Sequence, residues 1–164
     1  MKTDPFTLPL KLAGQLKDVV QLDVDAVYAY SQAIDGIDSM HSDIKSQLML
    51  FRSDHERHVT ELGAMLLAGG HTPPESKRDF KGFLIEGMTA IRAAIGTKQA
   101  LKAMRQNEIL TNRKYDEALG FEGLPESIRE ILLRGREDER LHLDYIQAAI
   151  ARLESANAAR PANP

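Results

Sequence analysis

Four long stretches of this chain place apolar residues at alternating intervals of three and four, and almost nothing alternates at the interval of two that a half-buried strand requires. Such a chain is committed to helices, each with one buried stripe. The stripes predict helices over 10–39, 42–68, 97–119 and 125–154. Proline and glycine clusters mark the breaks, at Gly69, Gly70, Pro73 and Pro74 and again at Gly120, Gly123 and Pro125. Thr97 suits an N-cap, and Pro125 suits the first turn of the last helix. The links after the first and third helices are short, which predicts two antiparallel hairpins. The middle link is about 28 residues and carries Phe80, Leu84, Met88, Ile91 and Ile95 at helical spacing, which predicts a crossover with its own short helix. The expected fold is all-α: a four-helix bundle of two hairpins joined by a long crossover. At 164 residues it is one domain, with residues 1–9 as an N-terminal extension, 10–154 as the bundle and the Ala-, Asn- and Pro-rich 155–164 as a disordered tail.

Each apolar stripe has one short polar interruption. The first helix places Asp23 between Val19 and Ala26. The second places His55 and His58 between Phe51 and Leu62. The third places Glu108 between Met104 and Thr111, and the fourth places Glu139 and His142 between Gly135 and Ile146. Tyr30 and Tyr115 lie on the same stripes, each seven residues after an acid, and could hydrogen-bond the polar residues that interrupt them. The pattern repeats internally. Tyr30-Ser-Gln-Ala-Ile34 matches Tyr115-Asp-Glu-Ala-Leu119 at an offset of 85, which superimposes Asp23 on Glu108. Asp54-His55-Glu56-Arg57-His58 matches Asp138-Glu139-Arg140-Leu141-His142 at an offset of 84. The two hairpins are therefore alike where they are least apolar.

A buried, unpaired carboxylate costs several kcal/mol, and three at one depth also repel one another. Either they are protonated and hydrogen-bonded together, or cations sit among them. Glu-x-x-His puts a carboxylate and an imidazole on one helix face, one turn apart. Imidazoles mixed with carboxylates suit iron, manganese or zinc better than magnesium or calcium.

On these residues the sequence resembles the ferritin-like superfamily of di-iron carboxylate bundles over residues 10–154, and among them small bacterial members without an assigned reaction. The strongest match is Asp138-Glu139-x-x-His142 together with Glu108 and the Tyr115 that follows it. In that family the first and third helices each give one carboxylate, the second and fourth each give Glu-x-x-His, and the two Glu residues bridge the metals. The resemblance implies Asp23, His58, Glu108, Glu139 and His142 as metal ligands, with His55 as a sixth. It also implies Asp54 and Asp138 as outer partners, Asp54 toward His142 and Asp138 toward His58, with Tyr30 and Tyr115 nearby. The expected cofactor is iron, as one or two ions, with manganese or zinc as alternatives. Two positions depart from the family: Asp23 stands where Glu is usual, and His55 stands where a bridging Glu is expected. Two divalent cations would then exceed three carboxylates by one charge, leaving room for a hydroxide or oxo bridge.

Three classes of function follow: an iron oxidoreductase acting on oxygen, peroxide or ferrous iron; a non-catalytic metal-binding or iron-storage protein; and a metal-free structural or stress-related bundle with a buried polar network. Cysteine is absent, which excludes disulfides, thiolate metal sites and a fused rubredoxin-type donor, so an enzyme would need a separate electron donor. The net charge is -3 and basic residues are dispersed, which argues against nucleic acid as a partner. No apolar run approaches the ~20 residues of a membrane span, and residues 1–11 do not read as a signal peptide, so the expected compartment is the cytoplasm. The expected partners are a metal ion or small oxidant and a second copy of the chain in a homodimer. His41 and His71, at connections, are expected to be exposed. Arg57, Arg136 and Arg140 are expected on solvated faces beside acids.

Overall fold

The computed structural model describes residues 7–75 and 96–159. They form four long helices: α1 Leu10–Asp35, α2 Ser42–Ala68, α3 Thr97–Leu119 and α4 Glu126–Ala158. A single 3-10 turn, Ser39–His41, joins α1 to α2. No strand occurs among the described residues. The middle two boundaries fall where the apolar spacing puts them. α1 stops at Asp35, four residues before the expected end, because Gly36 caps it and donates its N–H to the carbonyls of Ala33 and Gln32. α4 runs on to Ala158, so the first residues of the expected tail are helical. The expected crossover helix, Phe80 to Ile95, lies outside the described residues.

Within each hairpin α1 packs on α2 and α3 on α4, and the hairpins meet through α1 against α3 and α2 against α4. Among the described residues most of the apolar core divides into two clusters. One joins the end of α1 (Tyr30, Ala33, Ile34) to the start of α2 (Ile44, Leu48), the start of α3 (Leu101, Met104) and the end of α4 (Ile146, Ile150). The other joins the start of α1 (Leu12, Leu16, Val19) to the end of α2 (Leu62, Leu66), the end of α3 (Tyr115, Ala118) and the start of α4 (Ile128, Leu132). Neighbouring helices are thus antiparallel, α2 and α3 run parallel, and the link between them connects opposite ends of the bundle. Each buried Leu or Ile contributes about 1.5–3 kcal/mol relative to exposure. The polar interruptions fall between the two clusters.

Three local expectations are corrected. Thr97 is the first residue of α3, not its N-cap, which is Gly96 at φ 85°, a conformation that favours glycine. The first turn of α3 is instead closed from the other hairpin: Asp38 accepts hydrogen bonds from the Thr97 backbone N–H (3.0 Å) and hydroxyl (2.8 Å). His41 joins this cluster at Thr97 Oγ1 (2.8 Å) and is half-buried rather than exposed. His71 is likewise half-buried, with Nε2 2.9 Å from the carbonyl of Leu8. Leu8 belongs to the core, packed so tightly over Gly69 that a Cβ there would lie 2.4 Å from it.

Candidate metal centre

The interruptions of all four helices meet in the layer between the apolar clusters. Asp23 of α1, His55 and His58 of α2, Glu108 of α3, and Glu139 and His142 of α4 are each no more than 2% exposed. The reason is helical geometry: the stripe that buries Leu48 and Leu62 necessarily carries His55 and His58 inward between them. His58 Nδ1 lies 3.6 Å from Asp23 and 3.4 Å from Glu139. His142 Nδ1 lies 3.6 Å from Glu108 and 4.0 Å from Glu139. His55 Nδ1 is 2.9 Å from Asp23 and 3.4 Å from Glu139, and its Nε2 is 3.8 Å from Glu108.

The repeat seen in the sequence becomes a set of crossed contacts. Asp54 of α2 meets His142 Nε2 of α4 at 3.1 Å, and Asp138 of α4 meets His58 Nε2 of α2 at 3.1 Å. A carboxylate at Nε2 holds a proton there, so that when the ring gives up its other proton to a metal, Nδ1 is the lone-pair donor and is aimed inward. Tyr30 of α1 donates to Glu108 of α3 at 2.7 Å, and Tyr115 of α3 donates to Asp23 of α1 at 2.9 Å. The halves differ in their packing. Phe51 lies over the His142 ring, with centroids 4.1 Å apart. The residue equivalent to Phe51 is Gly135, and Tyr115 occupies the space beside it.

Electrostatics divides the cluster into charged partners. Burial works against a charged His55, but Glu139, Asp23 and Glu108 outweigh it and hold its pKa at about 10. Burial likewise opposes a charged His58, and Asp138, Asp23 and Glu139 raise it to about 12. His142 is raised against its burial by Asp54 and Glu108. Asp23 is lowered despite burial by His55 and His58, and Glu108 is lowered by His142 and His55. Glu139 goes the other way: burial lifts it, and Glu108 and Asp23 add to that against the pull of His55 and His58, to about 7. Burial and the facing carboxylates push both tyrosines well up, so they remain hydrogen-bond donors.

Six buried atoms of this cluster have no hydrogen-bond partner: His55 Nε2, His58 Nδ1, His142 Nδ1, Glu108 Oε2 and both oxygens of Glu139. Buried polar atoms rarely stay unpaired, and all six belong to residues that ligate metals well. Their spacing comes close to what one ion needs. Four donors held tetrahedrally at about 2.0–2.1 Å from one ion lie roughly 3.3 Å apart. Two four-residue groups, Asp23, His55, His58 and Glu139 in one and His55, Glu108, Glu139 and His142 in the other, each hold one donor atom per residue within 4.8 Å of the others, so a bound ion would draw them in slightly.

The structure brings together all six expected ligands with Asp54, Asp138, Tyr30 and Tyr115, and shows two more residues behind them whose part the spacing did not reveal. Arg57 is not simply on a solvated face. Its Nη2 donates to Asp138 at 2.6 Å and to Asp54 at 3.3 Å, tying together the carboxylates behind both imidazoles. Asn112 donates from Nδ2 to the carbonyls of Glu108 (2.8 Å) and Glu139 (2.9 Å), and Arg136 holds its Oδ1 at 2.9 Å. A polar residue one position beyond Thr111 on the stripe was the available signal for Asn112. Nothing distinguished Arg57 from other surface arginines. Arg136 and Arg140 do pair with nearby acids, Asp116 and Glu137.

The class of fold is ferritin-like. The dodecameric thioferritin of Bacteroides fragilis, a bacterioferritin-related protein, superposes with a TM-score of 0.73 over 92% of each chain at 16% identity. The sequence itself matches the family described as "Domain of unknown function (DUF2383)" over residues 11–120, and the chain belongs to that family. The matched span holds Asp23, His55, His58 and Glu108 and ends before α4. No curated protein matches the sequence. No helix among the described residues is long and apolar enough to cross a membrane.

Proposed function

We propose that the chain is a metal-binding ferritin-like protein whose buried centre takes non-haem iron, as a pair of ions or an asymmetric site, and handles oxygen, peroxide or ferrous iron. The observation that carries this reading is the set of six unpaired donor atoms at one depth of an apolar core. Asp23, His55, His58, Glu108, Glu139 and His142 would hold the metal. Asp54 and Asp138 orient two of the imidazoles, and the Tyr30 and Tyr115 hydroxyls fix one oxygen each of Glu108 and Asp23. Iron, when bound, supplies one-electron exchange with an oxidant; manganese and zinc suit the same donors. A chain without cysteine relies on a separate reductant.

Internal hydrogen bonds from Tyr30, Tyr115 and His55 favour a second reading, a metal-free polar network. The unpaired atoms count against it. A storage role needs a cage. The Bacteroides fragilis protein is dodecameric, and a size measurement giving a monomer or dimer here removes storage. Metal analysis of protein purified without chelators tests the main reading: bound iron, manganese or zinc is expected, and Glu139→Ala lowers it sharply. Metal content unchanged in that variant sinks the ligand set, and a wild-type protein with no metal favours the polar network.

A further inference from the structure

His55 differs from its two neighbours. His58 and His142 each spend one ring nitrogen on an outer carboxylate and turn the other inward. His55 has no outer carboxylate and no exposed surface, and both its nitrogens face acids of the centre. Nδ1 sits with Asp23 and one oxygen of Glu139; Nε2 faces Glu108, 3.8 Å away, and is unpaired. Glu139 stands in the equivalent place on the other hairpin and behaves the same way. Its Oε1 faces His55 Nδ1 and His58, and its Oε2 faces His142. The two residues shared by both four-residue groups are thus the two that offer one donor atom to each side.

We propose that His55 serves both halves of the centre, Nδ1 toward one metal ion and Nε2 toward a second, so that an imidazole ring takes the place of the second bridging carboxylate. This rests on the metal-binding reading. With both nitrogens bound, the ring has released both of its N–H protons to water and carries one negative charge. Asp23, Glu108, Glu139 and that ring then supply four negative charges, which balance two divalent cations without a further anion. A neutral inner set suits a layer sealed between two apolar clusters. The bridge also sets a distance. Ions in ordinary two-metal sites lie about 3.5–4 Å apart. Ions on opposite sides of one imidazole, with bonds of about 2.0–2.1 Å, lie about 6 Å apart.

The test uses the full chain, stripped with chelator and titrated with Zn(II) and, without oxygen, Fe(II). Ions per chain are counted by native mass spectrometry, and zinc X-ray absorption reports near metal neighbours. Two zinc ions per chain with no metal neighbour inside about 4 Å are expected. His142→Gln is expected to keep one ion, in the Asp23–His58 half. His55→Gln is expected to weaken both halves by roughly tenfold or more, and His55→Glu to restore two ions at the short separation. Two ions with a neighbour at about 3.5–4 Å in the wild type, or two ions still tightly bound in His55→Gln, overturn the bridge. A single ion in the wild type also overturns the bridge while leaving the metal-binding reading intact; no uptake of either metal overturns both. Should a variant lose its helical circular dichroism, the wild-type count and absorption spectrum decide.

Discussion

Gly135→Ala puts a number on how tightly the layer is built. A Cβ at Gly135 would stand 2.5 Å from Tyr115 Cε1 and 3.0 Å from both Cζ and Oη. Ordinary carbon contacts need about 3.5–4.0 Å, so the ring must retreat by about 1 Å. Tyr115 is 1% exposed, and its hydroxyl donates to Asp23 at 2.9 Å. A retreat of that size takes this bond beyond hydrogen-bonding range. Overpacking costs about 1–3 kcal/mol, and a lost bond to a charged acceptor costs about 1.5–3 kcal/mol. Alanine in place of a helical glycine returns about 1 kcal/mol. The net expectation is a destabilisation of about 1.5–5 kcal/mol, or roughly 3–20 °C in melting temperature for a domain of this size. Thermal and urea unfolding of the chelator-stripped protein measure it. The cause is isolated by repeating the change in a Tyr115→Ala background, where it should become neutral or stabilising by up to ~1 kcal/mol. A Gly135→Ala protein as stable as the wild type would refute the packing argument.

Other changes probe the outer carboxylates and the charge balance. Asp138→Asn is expected to weaken metal affinity by about 10–100-fold, because His58 loses the partner that holds its ring. Arg57→Gln should have a smaller effect that reaches both halves, since Arg57 touches Asp138 and Asp54 alike; competition with a chromophoric chelator checks both, and an unchanged affinity in Asp138→Asn refutes the orienting role. The metal-free protein should be most stable near pH 4–5. Asp138, lowered from 3.8 to about 2, contributes stability above pH 3.8 that is lost as pH falls through about 2. Glu139, raised to about 7, binds more protons folded than unfolded, so stability declines as pH rises from 4.5 to about 7. His55 and His58, raised to about 10 and about 12, contribute stability that is full below 6.5 and lost above it. Metal must displace these protons, so affinity rises with pH and binding releases protons, which calorimetry in buffers of different ionisation enthalpy detects. Metal-free stability that peaks near pH 8, or binding without proton release, contradicts this balance.

What could be seen in the sequence is what periodicity encodes. A helix turns side chains in a fixed order, so acids at stripe positions had to lie at one depth once Leu48, Leu62, Met104 and Ile146 were buried around them. The offsets of 84 and 85 carried further, because a repeated hairpin brings repeated contacts. The resemblance to ferritin-like bundles, read onto that repeat, implied Asp54 beside His142 and Asp138 beside His58, and these are the contacts the helices make. Contacts that break the repeat were invisible. Asp38 closes α3 from the other hairpin, across 59 positions of sequence, and no local pattern announces it. Arg57 has Leu141 as its counterpart, so the repeat itself pointed away from a role at the site. The same asymmetry bears on function. A strictly repeated site would carry two equivalent halves. Here Asp23 faces Glu108, His55 faces Glu139, and Gly135 faces Phe51 across the pseudo-repeat. The shorter Asp23 side chain leaves its half more dependent on the two histidines of α2, whereas the other half draws on Glu108, Glu139 and His142 from α3 and α4. The two halves therefore offer different donors to a metal, and the differences lie in the residues the hairpins do not share.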